Sequence, residues 1–441
     1  MTDSANPERG YVGDTPYARR FVRELSPAWL DFTALICGFA PPVHDGAFAW
    51  CELGCGHGVT PALLAATQPE ARFVGIDLLA EHIDFARRLC LDAGIGNATF
   101  HAVDFGAAAA LDLPQFDYIV AHGVLTWIDE SAQADLARFI DRHLKPGGLV
   151  YLSYNALPGW AADMPLQHLL AELAGRAEGD SIARLAAADR IVAGMQEAGA
   201  TVLREGAMGR EWQALREQLP PTYFVHEFLP PGWRPRYVTE VRRQMAEIDL
   251  APIGSATLRE NVDAFTLDKP ARALLASTAD PDLRELMRDF FLAKRFRRDV
   301  FARPPRPLQD AEARERIAAE RFTLANAPAA EGTDESPPTS QHPAARAILD
   351  LLASGSATPA GLTAGGFTLE DIVAQLIFLA AAGCIWPAGP EVDPARIDRF
   401  NAAVRSRVGG PAEIAFIAQP AGTAIELAPE QLRAMQQGRM G

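Results

Sequence analysis

The chain is short of cysteine, of cationic charge and of long apolar runs, and each shortage excludes something. Its five cysteines, Cys37, Cys51, Cys55, Cys90 and Cys384, are odd in number and irregular in spacing. Such a set suits neither a disulfide framework nor a zinc knuckle; it fits free thiols in a reducing compartment, and no metal is expected. Lys and Arg number 41 against 56 Asp and Glu, a formal net charge of −15. A phosphate backbone repels such a balance, so nucleic acid is not an expected partner. The densest basic run, Lys294-Arg295-Phe296-Arg297-Arg298, reads as a solvated helix end, where cations suit the helix dipole. No apolar run reaches the roughly 18 residues of a spanning helix, so no membrane span is expected. Residues 1–9 are polar and carry no signal-peptide core, so a cytoplasmic protein is expected.

Against these shortages stands one dense stretch, Phe-Ala-Trp-Cys-Glu-Leu-Gly-Cys-Gly-His-Gly over residues 48–58. Its apolar half predicts a buried strand. Gly54, Gly56 and Gly58 predict a tight turn that brings backbone close to a ligand, where a side chain would collide with it. Residues 59–67 open a helix. Strand, turn and helix in this order form a nucleotide-shaped pocket at the carboxyl end of a parallel strand. A second strand, residues 72–77, ends in Asp77, 19 positions after Gly58. That is close to the spacing at which a carboxylate grips a pair of ribose hydroxyls. Strands over 98–103 and 116–121 end in Asp104-Phe105 and His122-Gly123. The turn Leu144-Lys145-Pro146-Gly147-Gly148 leads into a fifth strand over 149–153.

These five elements, over roughly residues 48–155, resemble the class I methyltransferases that use S-adenosylmethionine. The glycines run Gly-x-Gly-x-Gly, without the third glycine of a pyrophosphate-binding turn. An NAD-binding or inactive Rossmann-like domain is the alternative. The resemblance implies an α/β, Rossmann-like fold and S-adenosyl-L-methionine as cofactor. It also implies roles by position. Gly54, Cys55, Gly56 and Gly58 would pass under the methionine part, and Glu52 would orient the turn or bind the amino group. Asp77 would hold the ribose, with Leu78 against the adenine. Asp104 would accept from the adenine amino group, with Phe105 beside it. His122 and Gly123 would floor the reactive methyl. His122 is also the catalytic candidate, as an acid–base group or as a hydrogen-bond donor to the cofactor. Trp127, Tyr154 and Trp160 follow strand ends where an acceptor would enter. They are either channel walls that desolvate an amine or face a cation, or packing between domains. Tyr11 and Tyr17, and with them Phe21, are candidates for a lid over the site.

The stretches His122-Gly-Val-Leu-Thr-Trp127 and Ser153-Tyr-Asn-Ala-Leu-Pro-Gly-Trp160 resemble methyltransferases that carry a methyltransferase regulatory domain. Tyr223-Phe-Val-His226-Glu227-Phe and residues 288–298 resemble that domain itself. The group includes rickettsial-type enzymes that methylate lysines of outer-membrane proteins. His226 and Glu227, adjacent on a helix, point apart and are expected to tie parts of the regulatory domain together. The acceptor is expected to be a protein side chain or a small molecule capped by the middle domain; a non-catalytic cofactor sensor is the third reading.

The expected organisation is a helical lid over 1–45, the cofactor-binding domain over 46–155, a mainly helical regulatory domain over 156–325, a Pro-, Ser- and acid-rich linker over 326–342, and a C-terminal helical module over 343–441. That module reads either as winged-helix-like or as a plain bundle. Ser26 before Pro27, Pro343, and Thr368 with Asp371 mark helix starts. Residues 164–174, 180–198 and 211–219 read as helices. The last two strands of the sheet are therefore displaced, replaced or supplied later, with a return expected near 236–254.

Overall fold

A computed structural model describes residues 19–44, 46–205, 207–230, 232–325, 342–410 and 413–436. Tyr11, Tyr17 and most of the expected linker lie outside the described residues. Seven strands form the central sheet: β1 (Ala49–Leu53), β2 (Arg72–Asp77), β3 (Ala98–Ala102), β4 (Phe116–Ala121), β5 (Leu144–Asn155), β6 (Ala251–Ser255) and β7 (Phe296–Arg303). Their order is β3-β2-β1-β4-β5-β7-β6, with β7 alone running opposite to the other six. β1 and β4 are buried along their whole length, as continuous apolar strands covered on both faces must be. Trp50 and Tyr118 turn to one core, and Cys51 and Ile119 to the other. The chain winds outward from β1 through β2 to β3, then returns to β4 on the other side. This reversal opens a crevice at the carboxyl ends of β1 and β4.

Two sequence motifs turn out to be structural. Asp117 Oδ2 accepts from the Ala49 amide at 2.8 Å and pairs with Lys145 Nζ at 2.8 Å. The acid of the Phe-Asp strand thus joins the start of β1 to the Leu-Lys-Pro-Gly-Gly turn, which β5 absorbs behind a register shift between Phe116 and Tyr118.

β6 and β7 complete the sheet from far along the chain. β6 starts inside the region where a return was expected. The basic run is not a solvated helix end: Phe296, Arg297 and Arg298 begin β7. Strand alternation sends Arg297 inward, where it is 4% exposed. It pairs with Asp289 at 2.6 Å, Asp299 at 2.9 Å and Glu285 at 2.9 Å. Burial opposes ionisation of Glu285, but Arg297, Arg242 and Arg288 outweigh it and bring its carboxyl down to about 2.

The helix starts at Ser26, Pro343 and Thr368 stand where expected. The C-terminal segment combines helices with short strands: Ile385–Pro387 pairs with Phe322–Leu324, and Phe416–Ala418 with Ala424–Glu426. Ile348, Leu376 and Phe400 join the same core as Trp50 and Leu63. Among the described residues, no helix is long and apolar enough to cross a membrane.

Candidate functional site

The turn after β1 needs its glycines, for a different reason at each. Gly54, Gly56 and Gly58 have φ of +75°, +51° and +65°. A Cβ at Gly54 would stand 2.5 Å from Val124, and one at Gly58 2.5 Å from Ala86. Only at Gly56 would it meet nothing within 4 Å. The collision with a ligand expected of all three is thus replaced, at Gly54 and Gly58, by collision with the protein itself. Of the three, only Gly56 has open space where its Cβ would stand. The Gly54 and Cys55 amides donate to the Ile76 carbonyl at 2.8 and 3.0 Å, which folds the turn over the end of β2.

Asp77 closes β2 and braces the same turn. Its Oδ2 accepts from the Gly56 amide at 2.9 Å; its Oδ1 accepts from the Leu79 amide at 3.0 Å and lies 3.2 Å from His82 Nδ1. Asp104 caps the short helix after β3 by accepting from the Ala107 amide at 2.8 Å. At the end of β4, His122 Nδ1 lies 2.9 Å from the Tyr151 hydroxyl and 3.2 Å from Ser153 Oγ. Ser153 Oγ also accepts from the Gly123 amide at 2.8 Å. Burial brings the His122 imidazole down to about 4, so it is neutral at physiological pH.

One cleft of about 860 Å³, open to solvent, connects these groups. It is lined by Gly54, Gly56, Asp77, Leu78, Asp104, Phe105, His122, Gly123 and Trp127, all expected from the sequence. Val103, Val124, Ile128 and Ala132 complete an apolar wall that the sequence did not single out. Trp127 Nε1 is buried without a partner, while Leu78 is 36% exposed at the rim.

Several expected residues stand elsewhere. Glu52 lies behind the turn, 5% exposed, with Oε2 unpartnered. Cys55 turns its buried thiol back toward Gly75 on β2. Tyr154 is fully buried, and its hydroxyl donates to Asp299 Oδ2 at 2.6 Å. It belongs to the Arg297 network and does not line the cleft. Trp160 packs in the core of the helical middle segment, edge-on to Trp233 and under the Arg295 guanidinium at 4.1 Å. These two are packing residues; only Trp127 of the three is at the cleft. Phe21 packs edge-on against Phe416 and does not line the cleft. Glu227 accepts from Asn155 Nδ2 at 2.6 Å, tying the helix Pro221–Phe228 to the end of β5. Among the described residues, no group of three or more His, Cys, Asp and Glu could hold a metal.

Family comparisons fall on this geometry. A "Methyltransferase domain" model matches residues 51–150, and a "Predicted methyltransferase regulatory domain" model matches 220–303. An uncharacterized protein of Synechocystis sp. is 33% identical over 430 residues, covering 94% of this chain and 85% of its own. The chain belongs to the S-adenosylmethionine-dependent methyltransferases that carry a methyltransferase regulatory domain. Its fold is that of PKMT2 from Rickettsia typhi, solved in complex with AdoHcy, at TM-score 0.70 and 19% identity over 96% of this chain and 88% of the other. The trans-aconitate 2-methyltransferase of Azoarcus sp. is 34% identical over 131 residues, 30% of this chain and 46% of its own.

The residues of this methyltransferase fit the cofactor S-adenosylmethionine. Two carboxylates flank an apolar wall suited to an adenosine, the open space at Gly56 leaves room for a chain beneath, and Glu52 holds an unpartnered oxygen behind the turn. The regulatory-domain match contains β6 and β7, so that segment of the methyltransferase builds the cofactor sheet itself.

Proposed function

We propose that this methyltransferase modifies an amine on a protein side chain, with lysine favoured. One observation carries the reading: beyond the carboxylates, the cleft ends on neutral His122 and the apolar wall of Trp127, Val124 and Ile128. A lysine ammonium, with an ordinary pKa of about 10.4, must lose a proton before it can attack. An apolar, aromatic wall disfavours the charged form and lowers that pKa. The likeness to PKMT2, which extends beyond the cofactor domain, supports the same class of acceptor.

S-Adenosylmethionine, when bound, supplies a methyl group already activated on a sulfonium. The chain's residues then have to bind and align. Asp77 takes the ribose hydroxyls; Leu78 and Phe105 flank the adenine, with Asp104 as acceptor for its amino group. The backbone from Gly54 to Gly58 would support the methionine part, with the unpartnered Glu52 oxygen behind it. His122, held by Tyr151 and Ser153, and Gly123 form the floor beneath the methyl, with Trp127 beside the incoming acceptor. Alignment of this kind is worth roughly 7–11 kcal/mol of barrier.

Incubation with tritium-labelled cofactor and cell-envelope protein tests the proposal. The expected outcome is a labelled protein band that yields methyl-lysine on hydrolysis. A small extractable labelled product instead would reject it in favour of a small-molecule acceptor, the reading that the trans-aconitate relative supports. Tight binding of S-adenosylhomocysteine with no turnover on any acceptor would point to a cofactor sensor.

A further inference from the structure

Two histidine rings are buried behind the cleft, and the proposed reaction gives neither a task. His82 is 2% exposed and His57 7%. His57 sits between Gly56 and Gly58 in the turn after β1; His82 sits in the first turn of the helix Ala80–Asp92 that follows β2. Their rings lie 4.1 Å apart, tilted by 42°, and Phe85 meets His57 edge-on at 5.2 Å.

We infer that His82 is a positioning residue for the cofactor, one that holds the Asp77 carboxylate in the pose that receives a ribose hydroxyl. The inference rests on the reading of Asp77 as the ribose-binding acid. A carboxylate offers about four acceptor sites. The Leu79 amide and His82 fill both on Oδ1, and the Gly56 amide fills one on Oδ2. One site on Oδ2 remains, and Asp77 lines the cleft. Without His82, the carboxylate keeps one backbone amide on each oxygen but loses the side-chain contact that fills the second site on Oδ1.

The unused ring atoms support this assignment. His82 Nε2 and His57 Nδ1 are both buried without a partner. An unpartnered buried nitrogen costs stability that an apolar ring of similar size would not incur. What a histidine adds at position 82 is therefore the Nδ1–H directed at Asp77. The tilted contact of His57 with the His82 ring closes a circuit: turn to carboxylate through the Gly56 amide, carboxylate to helix through His82, and helix back to turn through the two rings.

The test compares two ligands by calorimetry, S-adenosylhomocysteine and an analogue lacking both ribose hydroxyls. The wild-type protein should prefer the first by about ten- to a hundredfold, the size of a hydrogen bond to a charged group. His82→Phe keeps a ring without the donor, and His82→Asn keeps a donor near the Nδ1 position without the ring. H82F should lose most of the preference while binding the analogue as the wild type does; H82N should retain it. Thermal unfolding of each variant reports folding separately. An H82F protein with the wild-type preference, or one that loses affinity for both ligands equally, would overturn the inference while leaving Asp77 in its role. A wild type that binds both ligands equally would overturn the ribose reading, and the inference with it.

Discussion

Glu52 is a carboxyl placed where its charge is costly. Burial, and then the nearby charge of Asp77, lift it to about 8 from an ordinary carboxylate value. The native protein therefore keeps a proton that the unfolded chain releases once pH passes about 4.5. The contribution of Glu52 to stability is fully present below that point and is lost as pH rises toward 8. Urea unfolding of the ligand-free protein between pH 5 and 8 should show the decline, and Glu52→Gln should flatten it. On the reading in which Glu52 faces the cofactor's amino group, that cation favours the ionised form. S-Adenosylhomocysteine binding near pH 7 should then release a proton, visible as a binding enthalpy that depends on the buffer. The second prediction at this scale concerns Asp77, whose carboxylate both braces the turn and lines the cleft. Asp77→Ala should weaken S-adenosylhomocysteine binding by about ten- to a hundredfold. Unchanged affinity in calorimetry would mean that the ribose lies elsewhere.

At the scale of elements, β7 is held by more than its ladder. Arg297 gathers Glu285 and Asp289 from the helix Pro281–Phe291 and Asp299 from its own strand, while the Tyr154 hydroxyl on β5 donates to Asp299. Removing the cation strands buried carboxylates, one of which, Asp289, burial already lifts to about 7. Arg297→Leu should cost about 3–5 kcal/mol in denaturant unfolding, the usual cost of breaking a buried pair on one side. The strands that carry the cofactor crevice were legible because their signals are local. The apolar runs of β2 and β4 and the acid or His-Gly that ends each sit within a few residues of one another. β7 was not legible, because a strand with Arg297 and Asp299 facing inward has no apolar alternation to read. Its partner charges come from other elements.

At the scale of the whole molecule, the C-terminal segment is clamped to the cofactor domain. Arg396 donates to the Ala65 and Ala66 carbonyls at the end of the helix Val59–Thr67, and to Asn97 Oδ1 at 2.7 Å. Asn97 Nδ2 in turn caps the Ala65, Gln68 and Ala71 carbonyls. Arg396→Ala should cost about 1–3 kcal/mol, read as a lower urea midpoint. Ending the chain at residue 341 would uncover one side of a shared core that includes Leu63, Ile348 and Phe400. The truncated protein should lose its single cooperative thermal transition, and a sharp transition near the full-length temperature would contradict the clamp.

By itself the sequence determined the crevice: three glycines after one strand and an acid after the next dictate where an adenosyl cofactor can lie, since backbone sterics and spacing act over short range. It also singled out Asp77, Leu78, Asp104, Phe105, His122 and Gly123, which line that crevice at the ends of β2, β3 and β4. Only the tertiary structure decided what stands behind them. Tyr154 and Trp160 look like channel walls until Asp299 and Arg295 claim them. His57 and His82 look unremarkable until the turn and the helix bring their rings together. Each of these outcomes depends on which distant segment covers a side chain, and packing of that kind leaves no periodic trace along the chain.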